Sequence, residues 1–234
     1  GGATTEAQSL LRIARAIPAT LRRYPLLRRL IVCQLLSGVP LLAMPFYAVY
    51  ATENLGLPQA AAGRFVQAGI IGFAAASMIW AYTSDRLGTT RVLRVVSIVI
   101  VLVPLSAVLI PPLARTLGLE HAMMYLYALV FLLNGTVGGG TWIGFTNYLL
   151  EIAPDNIRPL FLGLQATLSS PVVLMPLVGG LLLGVISFET LFLLAAASGV
   201  LAMIYIYRLR EPRHLPSPHG AHPGMITRPE EHYV

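Results

Sequence analysis

The amino-acid sequence predicts an all-α membrane protein with six transmembrane helices packed in one bundle. Three observations lead to this fold class. Hydrophobic residues make up 56% of the 234 residues and charged residues only 11%, whereas soluble proteins carry about 25% charged residues. The hydrophobic residues form six long apolar stretches. The arginines around those stretches lie almost entirely on one side of the predicted membrane.

The six apolar stretches approach or exceed the ~20 residues that a helix needs to cross the hydrocarbon core of a bilayer. The predicted spans one to six cover about 30–51, 61–83, 92–113, 122–150, 160–186 and 191–207. Spans four and five are longer than this minimum, so we expect tilt or local irregularity in them. Pro171 and Pro176 are expected to break the helix of span five. Glycines 138–140 are expected either to allow close contact with another helix or to loosen the helix of span four.

The distribution of arginine predicts the orientation of the chain. All 16 basic residues are arginines, and only Arg64 and Arg115 lie in the loops on one side. The other arginines precede span one, follow span six, or lie in or next to the loop between spans two and three and the loop between spans four and five. Because arginine-rich loops stay in the cytoplasm, we expect both termini to be cytoplasmic and the protein to lie in the cell membrane. The net charge of +6 is therefore assigned to topology, and no nucleic-acid partner is predicted.

The predicted bundle covers residues 30–208, and the two ends differ from it in composition. Residues 1–29 are interpreted as a cytoplasmic linker with an amphipathic helix on the membrane surface, because Thr5 and Gln8 fit a helix capping box before a spaced apolar face. Residues 209–234 are rich in proline and histidine and are predicted to form a disordered cytoplasmic tail. The histidines show no regular ligand spacing, so no metal site is predicted.

The spans lack the residues that most membrane enzymes and ion pumps require. No ionisable residue lies near the middle of any predicted span. Such residues usually mark proton relays, ion paths or voltage sensors. The chain also has no dinucleotide fingerprint, no phosphate-binding glycine loop and no Ser–His pair within the spans. We therefore expect no enzyme activity and no cofactor.

Uncharged polar residues recur within the spans, where contact with lipid would be costly. One face of span four carries Asn134, Gly138, Thr141, Phe145 and Tyr148. Two interpretations remain open: the polar groups form hydrogen bonds between helices, or they line a cavity that binds a solute. The predicted cavity contacts, all hydrogen-bonding or stacking groups, are Gln34, Asn134, Thr141, Trp142 and Gln165.

The loop between spans two and three carries the sequence AYTSDRLGTTR at residues 81–91. It resembles the cytoplasmic signature G-x-x-x-D-R-x-G-x-R-R of the major facilitator superfamily. Ala81 replaces the first glycine and Thr90 replaces one basic residue, as in the weaker copy of the signature in the second half of these transporters. The matching positions are Asp85, Arg86, Gly88 and Arg91.

Further segments resemble the same family in the same order along the chain. EIAP at 151–154 is similar to the loop before the eleventh helix, PLVGG at 176–180 to the last two helices, and EPR at 211–213 to the exit from them. The arginine-rich opening is similar to the central linker. The resemblance implies one six-helix bundle of the major-facilitator type. It corresponds to the C-terminal half of a twelve-span transporter or to a half-length relative.

The charged loops are predicted to form a gate at the cytoplasmic side. Gly88 permits a tight turn between two helices, and Asp85 can approach the N-terminus of span five, where unpaired N–H groups favour negative charge. Such a cluster would hold the cytoplasmic side closed in one state of a transporter. The alternative is a charged loop that only sets topology. The predicted gate residues are Asp85, Arg86, Gly88, Arg91, Glu151 and Arg158.

The resemblance implies a secondary transporter that moves a small solute by alternating access. The implied partners are the small-molecule substrate, the lipid bilayer, and either the N-terminal six-helix half or a second copy of this chain. Spans one, two, four and five are expected to line the cavity, and its uncharged wall favours a neutral or lipophilic solute. The alternative from another class is a non-transporting six-span scaffold or partner subunit, whose polar faces only pack helices.

Overall fold

The computed structural model describes residues 17–212. These residues form six helical spans, each long and apolar enough to cross a membrane, and contain no strand. Spans one to six are Pro25–Glu53, Ala61–Leu87, Thr89–Thr116, Glu120–Ile152, Asp155–Leu183 and Phe188–Tyr207. The predicted all-α membrane fold with six spans is confirmed. We call the end of the bundle that carries the turn at Gly88 the arginine-rich end, and the other end the opposite end.

The folded bundle begins earlier than the sequence predicts. Residues 17–23 are helical, and span one begins at Pro25 rather than near residue 30, because a proline suits the first turn of a helix. Leu27 is fully buried and the ring of Tyr24 packs edge-on against Phe161 of span five, 5.0 Å between centroids. The predicted linker boundary at 29 is therefore too late. The predicted capping box at Thr5 lies outside the described residues.

Span one is interrupted in its middle, which the sequence analysis did not predict. An α-helix over Pro25–Gly38 is followed by a 3-10 segment over Val39–Ala43 and a second α-helix over Phe46–Glu53. Pro40 lies at the start of the 3-10 segment and Pro45 before the second helix. Each proline removes a backbone N–H and clashes with the preceding turn, which weakens the α-helix at these two positions. Span three, in contrast, continues as one α-helix through Pro104, Pro111 and Pro112.

Span five is interrupted in the same way, as the sequence predicts from Pro171. Its α-helices cover Arg158–Ser169 and Met175–Leu183, with a 3-10 segment over Ser170–Leu174 between them. The two interruptions touch, because a side chain added at Gly38 would overlap Val172. Spans one and five therefore lose their regular helix at the same place in the bundle.

Span four does not loosen at its glycines, so that prediction is wrong, whereas the alternative prediction of close helix contact is confirmed. One α-helix runs from Met123 to Ile152. Its glycines instead allow two helices to approach closely: a Cβ atom at Gly139 would lie 2.7 Å from Ser77 Oγ of span two, and one at Gly135 would overlap the carbonyl oxygen of Gly69. A Cβ atom at Gly72 of span two would likewise overlap the carbonyl oxygen of Leu132. Small residues at helix interfaces are the usual way in which membrane helices pack backbone to backbone.

Two apolar cores lie at the two ends of the bundle. The core at the opposite end is aromatic, with Phe65 stacked on Phe131 at 4.5 Å and Tyr47 packed on Phe192 at 4.9 Å between ring centroids. The core at the arginine-rich end joins the start of span one to spans four, five and six, with Leu30, Tyr148, Phe161 and Ile206 among its members. Between the two cores lies the part of the bundle that contains the interrupted helices.

The chain remains packed on the bundle after span six. Leu209 is only 3% exposed, and the Tyr148 hydroxyl donates a hydrogen bond to the carbonyl oxygen of Arg210 at 2.9 Å. The predicted disordered tail from residue 209 therefore starts too early. Residues 213–234 lie outside the described part of the chain.

Replacing Gly135 by alanine should separate spans two and four, because the new Cβ atom would overlap the Gly69 carbonyl. We expect a loss of about 2 kcal/mol or more of stability, since overpacking a tight contact typically costs about 1–3 kcal/mol. The measurement is the melting temperature of the purified protein in detergent.

The matched control for this substitution is Gly63→Ala in span two, the other helix of the pair, where nothing lies within 4 Å of the added atom. It should leave the melting temperature unchanged or slightly higher, because alanine favours a helix more than glycine does. Equal melting temperatures for the two variants would contradict the backbone-to-backbone packing.

Candidate functional site

A cavity of about 540 Å³ opens between spans one, four and five. Span two, which the sequence analysis expected in the wall, contributes no residue to it. The lining is mostly apolar and carries no charged side chain. Its residues are Gln34, Ser37, Gly38, Leu41, Gly138, Thr141, Trp142, Phe145, Thr146, Leu162, Gln165, Ala166 and Val172.

The interrupted helices create the space for this cavity. Gly38 ends the first helix of span one and Val172 lies in the 3-10 segment of span five, and both residues line the cavity. On the facing helix, Gly138 leaves the wall open, because a Cβ atom there would meet nothing nearer than the Phe73 ring at 3.5 Å. The cavity therefore depends on Gly38, on Gly138 and on the interruptions of spans one and five.

Two glutamines from different spans meet at the cavity wall. The Gln165 side-chain amide donates a hydrogen bond from Nε2 to Oε1 of Gln34, at 2.9 Å. Gln165 is only 8% exposed. A buried amide needs such a partner, since leaving it unpaired costs about 1–3 kcal/mol. The bond ties the first helix of span one to the first helix of span five.

Span four contributes an aromatic ring and a hydroxyl to the cavity. The Trp142 side chain is 73% exposed. The Thr141 hydroxyl bonds within its own helix, to the carbonyl oxygen of Val137 at 2.8 Å. Such a bond to the preceding turn satisfies the hydroxyl locally. The polar groups of the wall that remain available therefore include those of the two glutamines together with the buried Ser37 hydroxyl, which has no hydrogen-bond partner among the described residues.

The structure brings four of the five predicted cavity residues together and places the fifth elsewhere. Asn134 lies in a separate space of about 30 Å³, which is also lined by Tyr47 and Pro104. Ser37 lines both spaces, and its buried hydroxyl has no hydrogen-bond partner among the described residues. The sequence analysis placed Asn134 and Thr141 on one helix face, which is correct, but that face crosses from one space into the other.

Several lining residues were missed from the sequence. Thr146 lies four residues after Trp142, and Leu162 and Ala166 flank Gln165 at spacings of three and one. Positions three and four apart share a helix face, so extending the face around Trp142 and Gln165 would have found Thr146 and Leu162. The cavity role of Val172 could not be found in this way, because it depends on the 3-10 geometry of span five.

At the arginine-rich end, the turn between spans two and three depends on Gly88. Its backbone has a φ of +93°, which favours glycine. The Glu211 carboxylate from the end of the chain packs directly over this glycine, and Glu211 Oε2 accepts a hydrogen bond from the Thr90 backbone N–H at 3.2 Å. A carboxylate at the first turn of span three also interacts favourably with the helix dipole.

A polar recess lies beside this turn, between spans two and four. It has a volume of about 280 Å³ and is lined by Asp85 and Glu151, together with Ser84, Asn147 and Leu150. The Thr89 hydroxyl donates to Glu151 Oε2 at 2.7 Å, and the Asn147 amide donates to the Ser84 hydroxyl at 3.1 Å. The structure thus brings together three of the predicted gate residues: Asp85, Gly88 and Glu151.

The three predicted gate arginines lie at different positions. Arg86 packs over the Tyr82 ring at 5.7 Å, and Arg158 forms a salt bridge of 2.6 Å with Asp155 in its own loop. The Arg91 side chain is exposed. Exposed ion pairs and ring contacts of this kind contribute about 1 kcal/mol or less.

Two residues at this end were not predicted as part of the charged cluster. One is Glu211, which the sequence analysis had noted only as part of the exit motif. The other is Arg94, whose guanidinium lies 5.6 Å from the Tyr207 ring centroid and donates to the Leu209 carbonyl oxygen at 3.4 Å. The sequence pattern that could have indicated both residues is a charged residue next to the end of a span, because its long side chain can reach a neighbouring loop.

The family model described as Major Facilitator Superfamily matches residues 30–229. The chain belongs to the major facilitator superfamily. Members of this superfamily are membrane transporters, and the six spans make this member an integral membrane protein. A comparison with curated proteins gives no match.

Replacing Gly88 by alanine should destabilise this superfamily member through two effects. The positive φ costs about 1–3 kcal/mol for a residue with a Cβ atom. The new atom would also lie 2.7 Å from the Glu211 carboxylate and displace it from Thr90. A hydrogen bond to a charged group contributes about 1.5–3 kcal/mol, and we expect a clear fall in melting temperature.

A double substitution separates the two effects. In a Glu211→Ala background the carboxylate is absent, so Gly88→Ala should lower the melting temperature by less than it does in the unsubstituted chain. The same decrease in both backgrounds would show that the contact between Gly88 and the Glu211 carboxylate does not contribute to stability.

Proposed function

We propose that this chain is the C-terminal six-helix half of a secondary transporter, or a half-length relative, which moves a small uncharged solute across the cell membrane by alternating access. The observation that carries this proposal is the cavity of about 540 Å³ between spans one, four and five. Its volume lies within the range of about 300–1,000 Å³ that is typical of small-molecule sites.

The chemistry of the cavity wall supports an uncharged solute. A few polar groups, chiefly Gln34 and Gln165, stand among apolar residues such as Leu41, Phe145 and Leu162. Placing an ionic solute against such a wall would require removing its hydration without supplying a counter-charge. Any coupling to a proton or ion would involve groups outside this wall.

The two interrupted spans support a change of shape around the cavity. In transporters, interrupted helices line the substrate site and rearrange as access alternates. Here the 3-10 segments Val39–Ala43 and Ser170–Leu174 belong to the two spans that carry the paired glutamines. Movement of either helix half would therefore change the width of the cavity and the geometry of the pair.

A second bundle is the proposed cover of the open side of the cavity. Polar groups such as those of Gln34 and Gln165 are costly against lipid. Span five also has little burial within this bundle, with Val173 and Leu181 both more than two-thirds exposed. The N-terminal half of a twelve-span protein, or a second copy of this chain, would enclose both features.

The cluster at the arginine-rich end is the proposed gate, and we propose that this end is cytoplasmic. Asp85 and Glu151 lie beside the turn at Gly88, and Glu211 links that turn to the end of span six. These contacts join spans two, three, four and six at one end of the bundle. Breaking them is the step that would open that end.

Alternating access predicts that one cavity position can be reached from both sides of the membrane. In a Cys33→Ala background, which removes the one cysteine of the chain, Ala166→Cys places a thiol in the cavity wall. We expect a membrane-impermeant maleimide to label it in both right-side-out and inside-out vesicles from the source cells. Labelling from one side alone would contradict alternating access and favour a non-transporting protein.

The matched control is Ala195→Cys in the same background, at a fully buried position of span six. It should remain unlabelled from both sides. Labelling of this residue would show that the vesicles or the fold had been damaged.

Asp85→Asn should weaken the proposed gate without reducing the amount of folded protein. We expect labelling of Ala166→Cys from the cytoplasmic side to rise about fivefold relative to the other side, which corresponds to ~1 kcal/mol. The control is Glu120→Gln at the opposite end. An unchanged ratio of labelling in Asp85→Asn would remove Asp85 from the gate.

A further inference from the structure

The paired glutamines leave hydrogen-bonding groups available in the cavity. Each glutamine side chain has an NH₂ group with two donors and an oxygen with two acceptor positions. Their mutual bond uses one N–H of Gln165 and one acceptor position of Gln34. The NH₂ group of Gln34 and the oxygen of Gln165 have no hydrogen-bond partner among residues 17–212.

This arrangement does not depend on which atom of each amide is oxygen. If both amides were reversed, Gln34 would donate to Gln165, and the groups left over would be the oxygen of Gln34 and the NH₂ of Gln165. In either case the pair leaves one donor group and one acceptor group, on two bonded side chains of the cavity wall. A ligand complementary to it therefore needs an acceptor next to a donor.

The protein fixes the position of this donor–acceptor pair. Gln165 is almost fully buried, and the bond to Gln34 joins two different spans. Besides the glutamines and the Trp142 indole, the polar side chains of the wall are the hydroxyls of Ser37, Thr141 and Thr146. The Thr141 hydroxyl already bonds to the Val137 carbonyl oxygen, and a hydroxyl offers a single donor, unlike an amide. A ligand would thus gain two directed hydrogen bonds at one place and apolar contact elsewhere.

The aromatic ring of Trp142 supplies a flat contact in the same cavity. Its side chain is largely exposed and lines the same space as the glutamines. Indole rings bind planar apolar or aromatic groups, and such contacts contribute about 0.5–1.5 kcal/mol beyond the buried area. No charged side chain lines this cavity.

We infer that the cavity selects a neutral, planar, mostly apolar solute whose edge carries a hydrogen-bond acceptor beside a hydrogen-bond donor, as the edge of a lactam does. The acceptor of the solute receives a hydrogen bond from the Gln34 NH₂ group and its donor bonds to the Gln165 oxygen, while its ring packs on Trp142. This inference rests on the proposed function for the role of the cavity, but binding itself does not require transport.

The test compares two probes that differ in one hydrogen-bond donor. Carbostyril is a planar bicyclic lactam, and N-methylcarbostyril has the same ring and carbonyl group without the N–H donor. Binding to the purified full chain is measured by quenching of Trp142 fluorescence in a Trp80→Phe background, which removes the other tryptophan. We expect carbostyril to bind about tenfold more tightly, which corresponds to about 1.4 kcal/mol.

The glutamines are then removed together, so that neither is left without its partner. The double variant Gln34→Leu/Gln165→Leu should bind both probes equally. The matched control, Gln59→Leu/Gln67→Leu, replaces two exposed glutamines outside the cavity and should keep the preference. If the Trp80→Phe variant does not fold, the affinities of the two probes are measured instead by equilibrium dialysis with the chain that keeps both tryptophans.

Three outcomes would overturn the inference: equal affinity for the two probes, a preference that survives in the Gln34→Leu/Gln165→Leu variant, or binding of neither probe. None of them alters the result of the two-sided labelling of Ala166→Cys. Conversely, labelling from one side alone would contradict transport while the preference for carbostyril could still hold. The failure of each proposal is therefore distinguishable from that of the other.

Discussion

Backbone N–H and C=O groups inside a bilayer have no water to bond, and this constraint decides where the helices of this protein can be interrupted. A break in a transmembrane helix is tolerated where it faces protein or a water-filled space. Spans one and five break at the prolines Pro40 and Pro171, and the two breaks contact each other through Gly38 and Val172. The cavity lies at this contact. The prolines, the contact between spans one and five and the cavity therefore occur together, because an interrupted backbone has to face protein or water instead of lipid.

The sequence predicts the fold well because the bilayer restricts the possible answers. Span length and apolar composition are local properties, and they predict the six spans. The family was indicated separately, by the resemblance of residues 81–91 to the cytoplasmic signature, and the family match confirms it. The break at Pro171 lies at a proline, but span three continues as one α-helix through Pro104, Pro111 and Pro112, so proline alone does not decide where a helix breaks. The continuous helix through glycines 138–140 likewise depends on a neighbouring span, which the local sequence does not reveal.

The candidate site was less predictable than the fold. A helix face is visible in the sequence, which is why Thr141 and Trp142 could be placed in one wall. Whether Asn134 on the same face reaches the large cavity depends on how deeply span one covers it. The contact of Glu211 with the turn at Gly88 joins segments far apart in sequence. Such long-range contacts follow from the packing of the whole bundle, and no periodic pattern encodes them.

The glycine contacts between spans two and four have a mechanical consequence. At Gly69, Gly72 and Gly135 the backbones of the two helices touch, so no side chain lies between them there that could rearrange. This pair forms a stiff half of the bundle, whereas spans one and five, with their interrupted hydrogen-bond ladders, form a compliant half. Bending forces would concentrate in the compliant half, beside the cavity. The bundle therefore combines a rigid pair of spans, two and four, which pack closely at glycines, with a deformable pair, one and five, which are interrupted at prolines.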